Sequence, residues 1–580
     1  MEHSPFTFRF SLFTGKALCT LLFGVAAVLF FGLAYPHHLH YQEQYQLFLF
    51  DCSYVWEIVK LPGGIADLLG RFCTQFFLYA WIGALIIGIL LSAVQLLTLR
   101  LSSPSQRTTS HIPSLSQRTN PQIPSLSQRT NPQIPSPGVG SALYAVSFVP
   151  SFLLWLFLLD ENALLGGVWA VLLTLLDAWG FNKLKNCWAR HILLIVTVPV
   201  LYWMVGPVCV VFFLLSFLGA ARVNEANEAH GAHRANGTHR AYRSHKANWL
   251  NLAWSCGALM LLAITIVVLT SSVPVPPEKL WFGIHYHRYP AEIPVLLWAA
   301  ALSVFVLTLI ACASHRWGRR KVNISHSSFL IPLSSFLLVS VVMGFLVWKN
   351  SNFKAEKVMQ YDFMARYQQW NRILQTVNAE KPNNQIGVTV QNLALAMRGM
   401  LADHLFEYNQ NGIAGLLPDV QRDATSPLPT AEAFYQLGMI YVAQRTVFEA
   451  QEAILDFQKS ARCYKRLAET NLIIGKYEVA RKYLKALQKT LFYSGWADET
   501  LQLLGNEEAI ARHPEYGRLR QLVYNEDFYF GDKVTPEMLE DLFFSNTDNR
   551  LAFEYLKAYY MLTGDREGYA KLIQELRVRN

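Results

Sequence analysis

The chain has 580 residues, more than one hydrophobic core accommodates, so at least two domains are expected. Hydrophobic residues make up 52% of the sequence and charged residues only 16%, a composition typical of polytopic membrane proteins. The formal net charge of +9 does not indicate a nucleic-acid partner, because the basic residues lie mainly in loops between apolar runs.

Apolar runs of membrane-crossing length, which takes roughly 20 helical residues, recur up to Trp348. No small-residue cleavage site follows the first run, so we interpret it as a retained helix rather than a signal peptide. The run 191–221 is too long for one ordinary span and is interrupted by Gly206-Pro207, which favours two short spans. The other predicted spans are 18–35, 75–97, 142–159, 163–179, 251–270, 295–313 and 329–348.

Arginine and lysine residues cluster in the loops after the second span, the fourth span, the split run and the next-to-last span. These four loops share one side of the membrane only if the split run crosses twice, and basic loops mark the cytoplasmic side. The prediction is about nine spans with a cytoplasmic N-terminus and a periplasmic C-terminal domain. The predicted localisation is the bacterial inner membrane.

The first domain is predicted to cover residues 1–350 and to contain two disordered cytoplasmic loops, 101–140 and 223–248. The first loop holds three tandem copies of an eleven-residue unit, SQRTTSHIPSL, SQRTNPQIPSL and SQRTNPQIPSP, whose polar composition cannot form a core. The second loop contains four histidines without the regular spacing of a metal site, so a solvated linker is the favoured interpretation.

Residues 351–580 show a helical pattern without any run of membrane-crossing length. In YKRLAETNLIIGKYEVARKYLKAL, apolar residues line one face of two helices that meet at Gly475. This segment resembles a tetratricopeptide repeat, in which small residues let two antiparallel helices approach closely. A second copy, with its turn at Gly438, begins 30 residues earlier, and a similar two-helix pattern surrounds Gly564. We expect an all-α protein whose exported repeat domain binds a protein or peptide partner.

The loop between the first two spans is aromatic-rich and holds Asp51, Glu57 and Asp67 close to the membrane surface. Pro62-Gly63-Gly64 indicates a turn, after which an amphipathic segment is typical of a helix lying in the membrane interface. Cys52 and the second cysteine of this loop, Cys73, are close enough in sequence to allow a disulfide in an oxidising compartment.

Two resemblances follow from this loop and the span order. The YQEQYQLF, PGG and TQFF segments, with the repeat-like tail, resemble an uncharacterised bacterial family of polytopic membrane proteins, whose similarity covers nearly the whole chain. The layout is also similar to that of lipid-linked glycosyltransferases of the GT-C class. Those enzymes carry an acidic residue in a long first outer loop, although no paired acidic motif stands in the loop of this chain.

The second resemblance implies a polyprenyl-phosphate-linked sugar donor at the outer membrane surface, with transfer of a glycosyl group or an oligosaccharide. Asp51 or Glu57 would deprotonate an acceptor hydroxyl, or would position a divalent cation at the leaving phosphate. Basic side chains would neutralise the phosphate charge. The candidates for this binding role are Arg71 in the first outer loop and His285, His287 and Arg288 in the second.

A structural role is the alternative for each of these residues, because aromatic residues and histidines are common at membrane boundaries and acidic residues often cap short helices. The alternative for the whole protein is a non-catalytic, membrane-anchored scaffold that recruits envelope proteins through its repeats. About nine spans exceed what anchoring requires, which favours the transferase. A transporter ranks third, because the spans contain hardly any ionisable residues.

Overall fold

The computed structural model describes residues 5–103, 144–184, 186–219, 237–273, 275–283, 286–289, 292–317, 330–419, 426–455, 458–524 and 536–579. Nearly all of the predicted loop 101–140 and the first part of the predicted loop 223–248 lie outside these ranges. Within these ranges all regular secondary structure is helical, apart from two isolated β-bridges. The prediction of an all-α protein is confirmed for this part of the chain.

The described residues divide into two compact units. The membrane unit comprises Met1–Ala26, Leu61–Asp67 and Gly88–Ser351, and the helical unit comprises Ala27–Lys60, Leu68–Ile87 and Asn352–Asn580. The division after Ser351 lies beside the predicted boundary at residue 350. Most of residues 36–74, named the first outer loop after their predicted position, belongs to the helical unit and not to the membrane domain to which the sequence assigns it.

Five helical segments in the described ranges are long and apolar enough to cross a membrane, and a sixth meets that test only together with the helix after it. The chain is thus compatible with a membrane protein, while nine crossings stay a prediction. Two further apolar helices, Tyr144–Phe157 and Leu165–Phe181, are shorter. The five are Ala17–Ala34, Ala80–Ser102, Trp188–Gly219, Leu252–Ser272 and Val295–Ser314, and the sixth is Ser334–Asn350.

Three details of the apolar segments differ from, or sharpen, the sequence prediction. The second span begins at Ala80 and not at Gln75, because Gln75–Leu78 forms a 3₁₀ turn. The break predicted at Gly206-Pro207 is a 3₁₀ turn, Gly206–Cys209, where Gly206 has a φ of +76°. The predicted disordered loop 223–248 is wrong from residue 237, where the helix Gly237–Ser272 begins. Alanine, arginine and lysine favour helix, so the span extends into this polar segment.

Hydrogen bonds between helices add to apolar packing in the membrane unit. The Thr20 hydroxyl donates to Gln95 Oε1 at 3.0 Å, and Gln95 Nε2 donates to the Ser147 hydroxyl at 3.0 Å. The Ser151 hydroxyl donates to the carbonyl of Leu91 at 2.8 Å. All of these side chains are buried. Polar contacts of this kind hold apolar helices in a defined register.

The helical unit is built largely from packed helix pairs. Gly438 and Gly475 adopt φ values of +88° and +76°, which L side chains rarely adopt, and each ends the first helix of a pair. The helices are Pro36–Glu43, Cys52–Val59, Phe353–Arg366, Trp370–Glu380, Gln385–Met397, Pro427–Leu437, Ile440–Glu452, Ala461–Ile473, Tyr477–Leu487, Ser494–Leu501, Glu507–Arg512, Tyr516–Leu522, Pro536–Ser545, Arg550–Thr563 and Arg566–Arg579.

Candidate functional site

Asp51 has an extended backbone conformation and stands directly before the helix Cys52–Val59. Its Oδ2 atom accepts a hydrogen bond of 2.8 Å from Lys489 Nζ and one of 2.9 Å from the Ser53 hydroxyl. The carboxylate is partly exposed, with 31% of its side-chain surface accessible. The sequence proposes Asp51 as a catalytic residue but does not indicate Lys489 as its partner.

These contacts determine the charge of Asp51. The hydrogen bond from Lys489 and then that from Ser53 lower the pKa of the Asp51 carboxyl below its ordinary value. The carboxylate is therefore ionised at neutral pH, available to accept a proton or a hydrogen bond, and weaker as a base than an unpaired aspartate. Such a group suits the orientation of a hydroxyl or a cation at least as well as proton abstraction.

The segment before Asp51, residues 44–51, begins with a turn and then has no regular secondary structure. It is held by residues that flank the helices Ala461–Ile473 and Tyr477–Leu487. The Leu47 amide donates to the Lys459 carbonyl at 2.9 Å, and the Phe50 amide donates to the Lys489 carbonyl at 2.7 Å. The Leu47 side chain is buried in a cluster with Ala468 and Leu484 of the pair around Gly475. The repeat-like helices thus bind a segment of their own chain, and this contact fixes the position of Asp51.

A buried charged pair lies beneath the start of this segment. Arg366 Nη1 lies 3.7 Å from Glu43 Oε2, and both side chains are almost fully buried. Arg366 Nη2 donates to the Tyr493 hydroxyl at 2.9 Å, and that hydroxyl donates to Glu43 Oε1 at 2.8 Å. Burial raises the pKa of Glu43, and the charge of Arg366 acts against that rise.

Arg462 forms the second polar anchor of the segment. Its guanidinium donates two parallel hydrogen bonds to Asp362, of 2.6 and 2.8 Å, and one of 3.0 Å to Gln44 Oε1. A bidentate arginine–carboxylate pair is a geometrically specific contact. Gln44 belongs to the YQEQYQ stretch of the first outer loop. Arg462 therefore attaches that loop to the pair of helices around Gly475.

Glu356 caps the short helix that follows the first span. Its carboxylate accepts hydrogen bonds from the backbone amides of His37 and His38, at 2.7 and 2.9 Å. Burial raises the pKa of Glu356 to about 7, although the two amides favour the ionised form. Burial also lowers the pKa of His37 to about 4 and that of His40 to about 3, so both imidazoles are neutral near pH 7.

The other predicted site residues lie in different surroundings. Glu57 is exposed on the helix Cys52–Val59, and Arg71 is buried with 8% of its surface accessible. The catalytic role of Glu57 and the phosphate-binding role of Arg71 stay predictions. Cys52 is a free, exposed thiol, so the disulfide that the sequence allows with Cys73 is not formed.

In the membrane unit, residues 286–288 of the predicted second outer loop meet the loop between the apolar helices Tyr144–Phe157 and Leu165–Phe181. His287 Nε2 lies 3.0 Å from Asp160 Oδ2. The Leu164 amide donates to the Tyr286 carbonyl at 3.0 Å, which joins the two loops through their backbones. Burial by itself lowers the pKa of His287, but Asp160 raises it to a net value above the ordinary one. Arg288 is buried in this loop, and His285 lies outside the described residues.

The described part of the chain contains no group of three or more histidine, cysteine, aspartate or glutamate side chains placed to hold a metal ion. A divalent cation at Asp51 therefore stays a prediction from the GT-C layout. Sequence patterns did not reveal Lys489, Glu43, Arg366 or Asp160. The one available signal was the run of polar residues in YQEQYQ, inside an otherwise aromatic loop.

Comparison with protein families gives one match over nearly the whole length. The model of a family described as "Family of unknown function (DUF6057)" matches residues 11–579. No curated protein and no solved structure matches the chain. The family match is consistent with the extent of the resemblance drawn from the first outer loop and the repeat-like tail, and it supplies no activity.

Proposed function

We propose that this chain, which belongs to the DUF6057 family, is an inner-membrane protein that acts on a lipid-phosphate-linked substrate at the outer membrane surface. The proposed reaction is transfer of a glycosyl group or an oligosaccharide to an acceptor, as in the GT-C class. The observation that carries this proposal is the arrangement of Asp51, an ionised and accessible carboxylate held by Lys489 and Ser53.

The surroundings of Asp51 support a role at a lipid headgroup. The preceding residue, Phe50, is exposed, and Trp56 projects from the following helix with 68% of its surface accessible. Aromatic side chains next to a charged pair are typical of the boundary between lipid and water. In this proposal Asp51 orients the acceptor hydroxyl, Lys489 attracts the phosphate, and Glu57 is the second candidate base.

The helical unit has a defined part in this proposal. Hydrogen bonds to Lys459 and Lys489 hold residues 44–51 in place, so that the segment ends at Asp51. Positioning of a reactive group by a rigid scaffold contributes to catalysis because the group need not be ordered during the reaction. The repeat-like helices would then serve the active site directly, in addition to any binding of the acceptor protein.

The experiment compares glycosylated envelope proteins in a deletion strain complemented with single variants. Asp51→Asn preserves size and hydrogen bonding but removes the charge, so we expect loss of transfer with normal protein abundance. Glu57→Gln tests the second candidate, and Glu478→Gln is the control because Glu478 is a highly exposed carboxylate elsewhere in the helical unit. Full complementation by both Asp51→Asn and Glu57→Gln would show that the catalytic assignment is wrong.

A specific surface favours the second candidate function, a non-catalytic scaffold for envelope proteins. Tyr441 and Phe448 are both exposed on the helix Ile440–Glu452, seven residues apart and therefore on one face. An apolar stripe on a repeat-like helix suits a protein partner. On this hypothesis Phe448→Ser abolishes complementation, whereas Asp51→Asn does not.

A further inference from the structure

A continuous row of aromatic rings runs through the helical unit. Phe72 contacts Phe76 with a centroid distance of 5.6 Å, and Phe76 contacts Phe492 at 5.5 Å. Phe492 also contacts Tyr79 at 5.3 Å, and Phe50 lies 6.4 Å from Phe72. The row therefore joins the first outer loop to the short loop after the helix Tyr477–Leu487.

One end of this row is tied to a membrane-crossing helix. Tyr79 directly precedes the apolar segment Ala80–Ser102, whose length suits one crossing. A residue at the first turn of such a segment lies at the boundary between lipid and water. Because Phe492 packs on Tyr79, the loop that carries Phe492 lies at the same boundary, although it follows the last apolar helix by more than a hundred residues.

Two rings of the row, Phe50 and Tyr79, are more than half exposed among the described residues. Leu491, next to Phe492 in the sequence, is 44% exposed, and Trp56, on the helix that follows Phe50, is 68% exposed. An exposed aromatic patch of this kind requires a partner that accepts apolar rings. The patch is continuous with the start of a span, so the partner that this continuity favours is the bilayer.

Charged groups lie where lipid headgroups would meet this patch. Lys489 forms its ion pair with Asp51 beside Phe50, and Lys60 is exposed at the end of the helix that carries Trp56. Aromatic rings with adjacent lysines are typical of elements that lie in the membrane interface. The two parts of the patch, apolar and cationic, thus match the two layers of a lipid surface.

We infer that Phe50, Trp56, Leu491 and Phe492 form a lipid-docking surface that binds the C-terminal helices to the bilayer. This contact adds to the covalent connection through the last membrane helix. It assigns a membrane contact to a loop that has no membrane-crossing pattern in its sequence. The inference does not depend on glycosyl transfer, because an inactive Asp51→Asn protein keeps every apolar member of the surface.

The experiment uses the full-length protein in vesicles of phosphatidylethanolamine and phosphatidylglycerol that contain a clickable phospholipid. The photo-crosslinking amino acid p-benzoylphenylalanine replaces Leu491 in one protein. It replaces Ile82, an exposed residue of the second span, in the positive control and Phe406 in the negative control. Phe406 is an exposed aromatic residue of the helical unit that has no contact with the aromatic row among the ring contacts described above.

We expect a lipid adduct at position 491 comparable with that at position 82, and no adduct at position 406. Combining the crosslinker at position 491 with Trp56→Asp should reduce the adduct, because a buried carboxylate opposes insertion of the surface. Absence of the adduct at position 491, an equal adduct at position 406, or a crosslink to a second protein chain would overturn the inference. The Asp51→Asn protein should give the same adduct as the wild type, whatever the outcome for transfer.

Discussion

Lys489 Nζ donates a hydrogen bond of 2.8 Å to Asp51 Oδ2 across a sequence separation of 438 residues. This bond is the largest cause of the lowered pKa of Asp51. We predict that Lys489→Met raises the pKa of Asp51 towards its ordinary value. Infrared titration measures this pKa. Subtraction of the spectrum of the Asp51→Asn protein removes the signals of the other carboxyl groups. Lys482→Met, a nearby change outside the pair, should leave the Asp51 titration at the wild-type pH.

Glu43 and Arg366 form a buried pair whose members depend on each other. Arg366→Met leaves the Glu43 carboxylate buried without its cation, and loss of one partner of a buried pair costs about 3 kcal/mol or more. Thermal unfolding in detergent should show this loss. Glu43→Gln combined with Arg366→Met should cost less than the sum of the single changes. The exposed pair of Arg512 and Glu508 is the control, and breaking it should change stability by less than about 1 kcal/mol.

Leu47 anchors the segment 44–51 by apolar packing. Its side chain lies in a cluster with Ala468 and Leu484, so Leu47→Ala should destabilise the helical unit by about 3 kcal/mol. Limited proteolysis should then cut within residues 44–51 faster than in the wild type. Leu491→Ala, at an exposed leucine, should change neither the stability nor the cleavage rate in detergent. Wild-type protease resistance in Leu47→Ala would contradict the described anchoring.

Glu356 makes stability depend on pH. Its folded-state pKa of about 7 exceeds the ordinary value of 4.5, so its contribution to stability is complete below about pH 4.5. That contribution is lost as pH rises through about 7, by about 3 kcal/mol at most. Glu356→Gln should flatten this dependence in thermal unfolding. The difference between the two proteins isolates Glu356, because His37 and His40 titrate in both. Parallel curves from pH 4.5 to 8 would refute the assignment.

The contact between His287 and Asp160, in the membrane unit, resembles Glu356 in that its contribution to stability is larger at low pH than at high pH. Because the pKa of His287 is raised, its contribution is complete below the ordinary pKa of 6.5 and declines as pH rises through the folded-state value. Asp160→Asn removes the charged acceptor and should weaken the loop contact below that value. Hydrogen exchange at the amides of Leu164 and Arg288, measured at pH 6 and pH 8, tests this. Equal protection at both values in the wild type would contradict the prediction.

The sequence by itself determined the features that depend on local patterns. Apolar runs predict membrane helices because a bilayer requires the same length of apolar helix wherever the run occurs. Gly438 and Gly475 indicate helix ends, since each permits a left-handed conformation that other residues rarely adopt. The same reasoning failed at residues 237–248, where the helix of a span extends into polar sequence that by composition alone is a linker.

Only the tertiary structure decided which distant groups meet. Three contacts join the first outer loop to residues more than three hundred positions later. They are the pair of Glu43 with Arg366, the hydrogen bond between Gln44 and Arg462, and the pair of Asp51 with Lys489. A single sequence carries no periodicity that links such positions. Burial and pairing arise when the helices pack, and because electrostatic energies depend on distance and burial, the properties of Asp51 followed from that packing.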